Sequence, residues 1–97
     1  MDLEFEWDDE KAKINKQKHG ISFELAKLVF NDEHRIEFYD DENSTNEDRY
    51  DVIGKVNEIL FVVYTERKDR IRIISARLAT RIERRVYDDY NNNIISG

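Results

Sequence analysis

The side chains in this chain best placed to do chemistry are cations. Between Arg67 and Arg85 stand eight basic residues (Arg67, Lys68, Arg70, Arg72, Arg77, Arg81, Arg84 and Arg85) against two acids, Asp69 and Glu83. That segment has a local net charge of +6, in a chain whose formal net charge is −6. Arginine offers a planar fork of donors that matches phosphate oxygens, so a segment charged against its own protein is a candidate surface for a polyanion. A second group lies near the N-terminus. Lys11, Asn15, Lys18 and His19 fall at i, i+4, i+7 and i+8, a helical stripe where a core-facing helix carries Leu or Ile. On one reading these residues are solvated, with Lys18 and His19 complementing the negative end of the helix. On the other they form an edge that contacts phosphate and moves protons, with His19 as the acid or base. Glu47, in Glu47-Asp48-Arg49, is either a base or a partner for an arginine. His34, beside Arg35, reads as a surface residue.

Several chemistries are excluded or disfavoured. The chain has no cysteine, which removes disulfides, thiolate metal sites and a cysteine nucleophile together. The two histidines show no metal-ligand spacing, and three scattered glycines make no phosphate-cradling loop. Asp40-Asp41-Glu42-Asn43 lacks the calcium-loop pattern, so neither a metal nor another cofactor is expected. No run approaches the roughly 18–20 apolar residues of a membrane helix, and a cytoplasmic protein without membrane contact is expected. Acid and base are segregated along the chain. Asp2, Glu4, Glu6, Asp8, Asp9 and Glu10 crowd the first ten residues, and a second acidic stretch runs from Glu37 to Asp51. Such segregation permits a local positive site on an acidic protein.

At 97 residues the chain holds one domain, expected over 1–90, with 91–97 as a disordered tail. Leu3, Phe5 and Trp7 alternate with acids, the period of a short first strand. Asp8 as N-cap, Asp9 and Glu10 in the first turn, Lys18 and His19 in the last and Gly20 as a left-handed stop define a first helix. Ser22 caps a second helix that runs to Asn31-Asp32. Ile36 and Phe38 mark a strand ending in the acidic loop Asp40 to Asn46. Arg49 to Val56, Ile59 to Thr65 and Arg70 to Arg77 follow as strands joined by hairpin turns. Thr80-Arg81-Ile82-Glu83 has capping-box spacing and opens a closing helix. Strand, two helices, antiparallel meander, helix is an α+β layout. In it Arg70 and Arg72 share one strand face, Arg77 falls at the strand's end and Arg81 begins the helix.

The ordered blocks Trp7-Asp8-x-x-Lys11-Ala12-x-x-Asn15-x-x-Lys18-His19-Gly20-Ile21-Ser22-Phe23, Glu47-Asp48-Arg49-Tyr50-x-x-Ile53-Gly54, Thr65-Glu66-Arg67 and Arg72-Ile73-Ile74-Ser75-Ala76-Arg77-x-Ala79-Thr80-x-x-Glu83-Arg84 resemble the BrnT toxin family. The resemblance covers the chain from Phe5 to Tyr87. It implies a RelE-like fold and a type II toxin that cleaves RNA, inhibits translation and is neutralised by a BrnA-like antitoxin, with operator DNA bound only through the antitoxin complex. By position it implies His19, Glu47, Arg77 and Arg81 as catalytic residues, and Lys18, Arg49, Arg67 and Arg72 as RNA-binding ones. Strong net acidity and the long acidic loop from Asp40 to Asp51 depart from that pattern. The alternative is a catalytically inactive binding module, or a co-repressor subunit of a toxin–antitoxin-like complex.

Overall fold

The computed structural model describes residues 3–96. Asp2 among the N-terminal acids and Gly97 at the end of the expected tail lie outside the described residues. The order is β1 (Glu4–Glu6), α1 (Asp9–His19), α2 (Phe23–Ala26) continued by a 3-10 turn (Lys27–Asn31), β2 (Ile36–Tyr39), β3 (Tyr50–Val56), β4 (Glu58–Arg67), β5 (Arg70–Leu78) and α3 (Arg81–Ser96). The α+β layout expected from the sequence is the one observed. The five strands form one sheet in the order β1-β5-β4-β3-β2. β2 to β5 are an antiparallel meander, and β1 lies parallel to β5 with Glu4, Phe5 and Glu6 opposite Arg70, Ile71 and Arg72.

The local signals act as their chemistry dictates. Asp8 accepts the Lys11 N–H (3.1 Å) at the start of α1. Gly20 ends the helix in the left-handed region (φ 74°), where its N–H donates to Lys16 O. Ser22 accepts the Leu25 N–H (3.0 Å), so α2 starts where expected. It gives way to 3-10 geometry after Ala26 instead of continuing as an α-helix. This turn lays Val29 against Gly54 of β3, where a Cβ on the glycine would sit 2.9 Å from the Val29 Cβ. Phe23, Ala26, Val29 and Phe30 pack with Val52, Leu60, Val62, Tyr64, Ile73 and Ala76 as the core on one face of the sheet.

The expected tail is a correction. α3 does not stop at Tyr90 but runs to Ser96. Tyr87 donates its hydroxyl to Asp32 Oδ2 (2.7 Å). Asn91 is buried and donates to His34 O (3.2 Å) and Tyr87 O (2.8 Å), which ties the second half of the helix to the approach to β2. No helix among the described residues is long and apolar enough to cross a membrane.

Candidate functional site

The second face of the sheet carries the arginines, and a single extra residue decides which ones. Along β5, Ile73 stands opposite Tyr64 and Ser75 opposite Val63, leaving Ile74 without a partner as a bulge. Strict alternation would put Arg77 on the face opposite Arg70 and Arg72. The bulge shifts the phase, so Arg70, Arg72, Ser75 and Arg77 share one face. Arg72 and Arg77 are then roughly 15 Å apart along the strand.

Each of these arginines already has a carboxylate. Arg72 donates to Glu6 (2.7 Å), and Arg70 lies 3.4 Å from Glu4 and 3.9 Å from Glu6, both pairs arising from the parallel docking of β1. Arg67 reaches Glu47 at 3.4 Å beside the β4–β5 hairpin. Arg77 makes a two-pronged pair with Glu83 (2.7 and 3.0 Å) while its guanidinium lies 4.2 Å from the centre of the Phe61 ring. The Glu83 carboxylate raises the Arg77 pKa. Against the cost of its own burial, Glu83 is held below the usual carboxylate range by Arg77 and the Thr80 N–H. Glu83 also closes the capping box that starts α3, accepting from Thr80 N (2.8 Å) while Thr80 Oγ1 accepts the Glu83 N–H (3.2 Å). The arginines are therefore spread along the face, not gathered at one sheet end.

The polar stripe of α1 sits at the free edge of β5, beyond the three residues that β1 pairs. Asn15 is buried there, and it is neither solvated nor a surface group. Its Nδ2 donates to Ala76 O (2.9 Å) and Ile21 O (2.9 Å), and its Oδ1 accepts the Ala76 N–H (3.1 Å). The amide thus completes the strand edge as a neighbouring peptide would. This clamp places the exposed ends of the stripe beside the arginine face. Lys11, Ile14, Asn15, Lys18 and His19 line a depression of about 230 Å³ whose other wall is Ile74 and Ser75. His19 and Lys18 are exposed and make no ion pair among the described residues.

The remaining candidates lie around this strip. Glu47 is carried by the segment leading into β3, where Asp48 O accepts the Thr65 hydroxyl (2.6 Å); Thr65 is the residue opposite Arg72. Arg49 is half-buried, its backbone N–H bonded to Ser44 Oγ and its carbonyl accepting from Asp40 N–H. Arg81 is exposed at the first turn of α3. His19 and Lys18 share a depression with Ser75, Arg77 is the next side chain on that face of β5, Arg81 follows at the start of α3, and Glu47, Arg67 and Arg72 form a second group toward the hairpin.

One carboxyl on this face has no counterpart among the sequence-derived candidates. Asp51 of β3 is 5% exposed. Its register puts it opposite Val63 and Phe38 on the arginine face, and its Oδ1 is buried with no hydrogen-bond partner among the described residues. Burial and a hydrogen bond to the Asp40 carboxylate push its pKa up to about 7. Asp40 is held low by Asn43, which donates to it, and by Asp51. The available signal in the sequence was an acid inside the otherwise apolar β-pattern Tyr50-Asp51-Val52-Ile53. Among the described residues, no cluster of three or more His, Asp or Glu side chains is placed to hold a metal ion.

A family model described as ribonuclease toxin, BrnT, of type II toxin-antitoxin system matches residues 7–83. No curated protein matches the chain. Among solved structures, the 1.1 Å crystal structure of the Brucella abortus ribonuclease toxin BrnT is similar, with a TM-score of 0.63 and 25% identity over 82% of this chain and 100% of that one.

Proposed function

Because this chain belongs to the BrnT family of ribonuclease toxins of type II toxin–antitoxin systems, we propose that it cuts RNA without a metal ion at the arginine face of its sheet. By this activity it inhibits translation, and a BrnA-like antitoxin neutralises it. Operator DNA is contacted only through the antitoxin complex. The observation that supports the reading is the bulge at Ile74, which puts Arg77 and Ser75 on the face of Arg72, with Ser75 lining the depression shared by His19 and Lys18.

Cleavage needs a base to take the proton of the ribose 2′-hydroxyl, whose oxygen then attacks phosphorus. An acid must protonate the 5′-oxygen as the P–O5′ bond breaks, and cations must hold the crowded phosphorane. His19 and Glu47 are the acid–base groups, Arg77 and Arg81 stabilise the phosphate, and Lys18, Arg49, Arg67 and Arg72 position the strand. Since the chain's own groups supply acid, base and positive charge, cleavage should persist in EDTA. The backbone of Asp48, bonded to the residue opposite Arg72, stations Glu47 on the hairpin side of that row. RNA entry then has Arg67, Arg72 and Arg77 exchange a carboxylate for phosphate.

The test is to induce the chain alone, its Arg77→Ala and His19→Ala variants, and the chain with its antitoxin, and then to map RNA 3′ ends. Arrest by the parent chain alone, with fresh cuts and a fall of roughly 10²-fold or more in cleavage by each variant, is the expected outcome. Unchanged toxicity in both folded variants removes the site. Soluble parent chain that neither arrests growth nor cuts RNA makes this copy a binding module, a reading for which the four carboxylate-paired arginines already speak.

A further inference from the structure

We propose that Asp51 is a positioning residue whose proton sets the charge around Arg77 and so decides whether Arg77 can leave Glu83 for an RNA phosphate. The inference rests on the reading of this face as the RNA site and assigns it a regulator. Asp40 follows the Tyr39–Tyr50 pair and its N–H donates to Arg49 O, which puts it diagonally across from Asp51 on the same sheet face, so the two carboxyls lie side by side. Like charges at that distance do not both ionise, so one of the pair keeps a proton. Burial decides which. Asp51 is almost wholly enclosed and has one oxygen without a partner among the described residues. Asp40, at the end of β2, is bonded by the Asn43 side chain (2.9 Å) and N–H (3.2 Å) and has the Arg49 charge nearby. The proton therefore resides on Asp51, whose O–H donates to the Asp40 carboxylate, in keeping with the upward push on Asp51 and the downward one on Asp40.

Asp51 stands opposite Val63 and Val63 opposite Ser75, so Arg77 is the next β5 side chain along the face that Asp51 shares, and the charged groups facing Asp51 there are Asp40 from the loop, Arg77 from β5 and Glu83 from α3. With the proton in place, Arg77 and Glu83 balance each other, and a phosphate approaching Arg77 meets no excess of negative charge. Once the proton leaves, the same arginine faces two anions, and the site repels the phosphate it must bind. Since the carboxyl gives up its proton near neutral pH, RNA affinity should fall as the medium becomes alkaline within the physiological range.

The experiment measures the affinity of a 2′-O-methyl RNA oligonucleotide, which cannot be cut, from pH 5.5 to 8.5 for the parent chain and for Asp51→Asn, whose amide keeps a donor to Asp40 without titrating. Each is compared with the same protein carrying Arg77→Ala. The parent should weaken roughly fivefold more than Asp51→Asn as the pH passes through neutrality, the effect of one added charge beside a phosphate contact. Arg77→Ala should abolish that difference, and every other titrating group is common to both proteins and cancels. Asp40→Asn serves as a second variant: by removing the neighbouring anion it should move the transition to lower pH. Parallel curves for parent and Asp51→Asn overturn the proposal. If Asp51→Asn does not fold, an unmoved transition in Asp40→Asn overturns it. Cleavage of unmodified RNA, assayed alongside, reports separately on the ribonuclease reading, because binding to the uncleavable strand does not require the chain to cut.

Discussion

Asp51 is buried beside a second carboxyl, and that ties folding stability to pH. Its ordinary pKa is 3.8, and burial followed by the contact with Asp40 raises it to about 7. Below about pH 4 folded and unfolded chains both hold the proton. Between about 4 and 7 the unfolded chain has released it and the folded one has not, so this residue's contribution falls as pH rises. Above 7 the full penalty is in place. Asp51→Asn should therefore match the parent in urea unfolding at pH 4 and exceed it by on the order of 2–4 kcal/mol at pH 8. Equal unfolding free energies at pH 8 would show that the carboxyl is solvated after all. At this scale the sequence was legible for the charges themselves and offered Glu47 as a partner for an arginine, without saying which arginine it meets. The cations of residues 67–85 were plain, but the carboxylates that meet Arg70 and Arg72 come from Glu4 and Glu6, more than sixty residues earlier, and only the parallel docking of β1 brings them there. Asp51 interrupts an otherwise apolar strand pattern, but nothing in the sequence tells whether its carboxyl meets water or another acid.

Element by element, the signals that are local in the chain were readable and those that depend on a neighbour were not. The caps Asp8, Gly20, Ser22 and the Thr80–Glu83 box all appear where their residue types require. The β5 bulge left no mark in the sequence, because Ile74 is as good a strand residue as Ile73 and only the register against β4 makes it the extra one. The polar stripe of α1 was visible, but its purpose was not. Asn15 there replaces a strand rather than facing water, since β1 is too short to cover the edge at Ala76. Replacing it with Ala leaves the Ala76 N–H and two carbonyl oxygens unsatisfied in a buried place. We expect a loss of about 2–4 kcal/mol on denaturant unfolding. Hydrogen exchange at the Ala76 amide should quicken by the same free energy or more. A variant as stable as the parent would mean that water enters and satisfies the strand edge.

The whole molecule has to hold an anion while carrying a net charge of −6. Segregation solves part of the problem. The acids of the β2–β3 loop include Asp41 and Glu42, which lie away from the strip on β5, whereas Glu4, Glu6, Glu47 and Glu83 sit inside the arginine face and occupy it. Exposed cations along the strip without an ion pair among the described residues are Lys11, Lys18 and Arg81. Counterion release counts phosphates newly neutralised, and an arginine that merely changes partner from carboxylate to phosphate adds little to that count. Three free cations on single-stranded RNA then predict a slope of about −2 for the logarithm of affinity against the logarithm of salt concentration. Glu83→Gln, which strips Arg77 of its carboxylate, should steepen the slope by about 0.7, the contribution of one phosphate on a single strand. The measurement is a titration of a short labelled uncleavable RNA between 50 and 200 mM salt, at a pH below neutrality so that Asp51 stays protonated. A parent slope near −5, unchanged in Glu83→Gln, would mean that bound RNA releases the paired arginines completely. Their carboxylates would then have to find other partners when RNA arrives, and the ion pairs on this face would describe the empty protein alone.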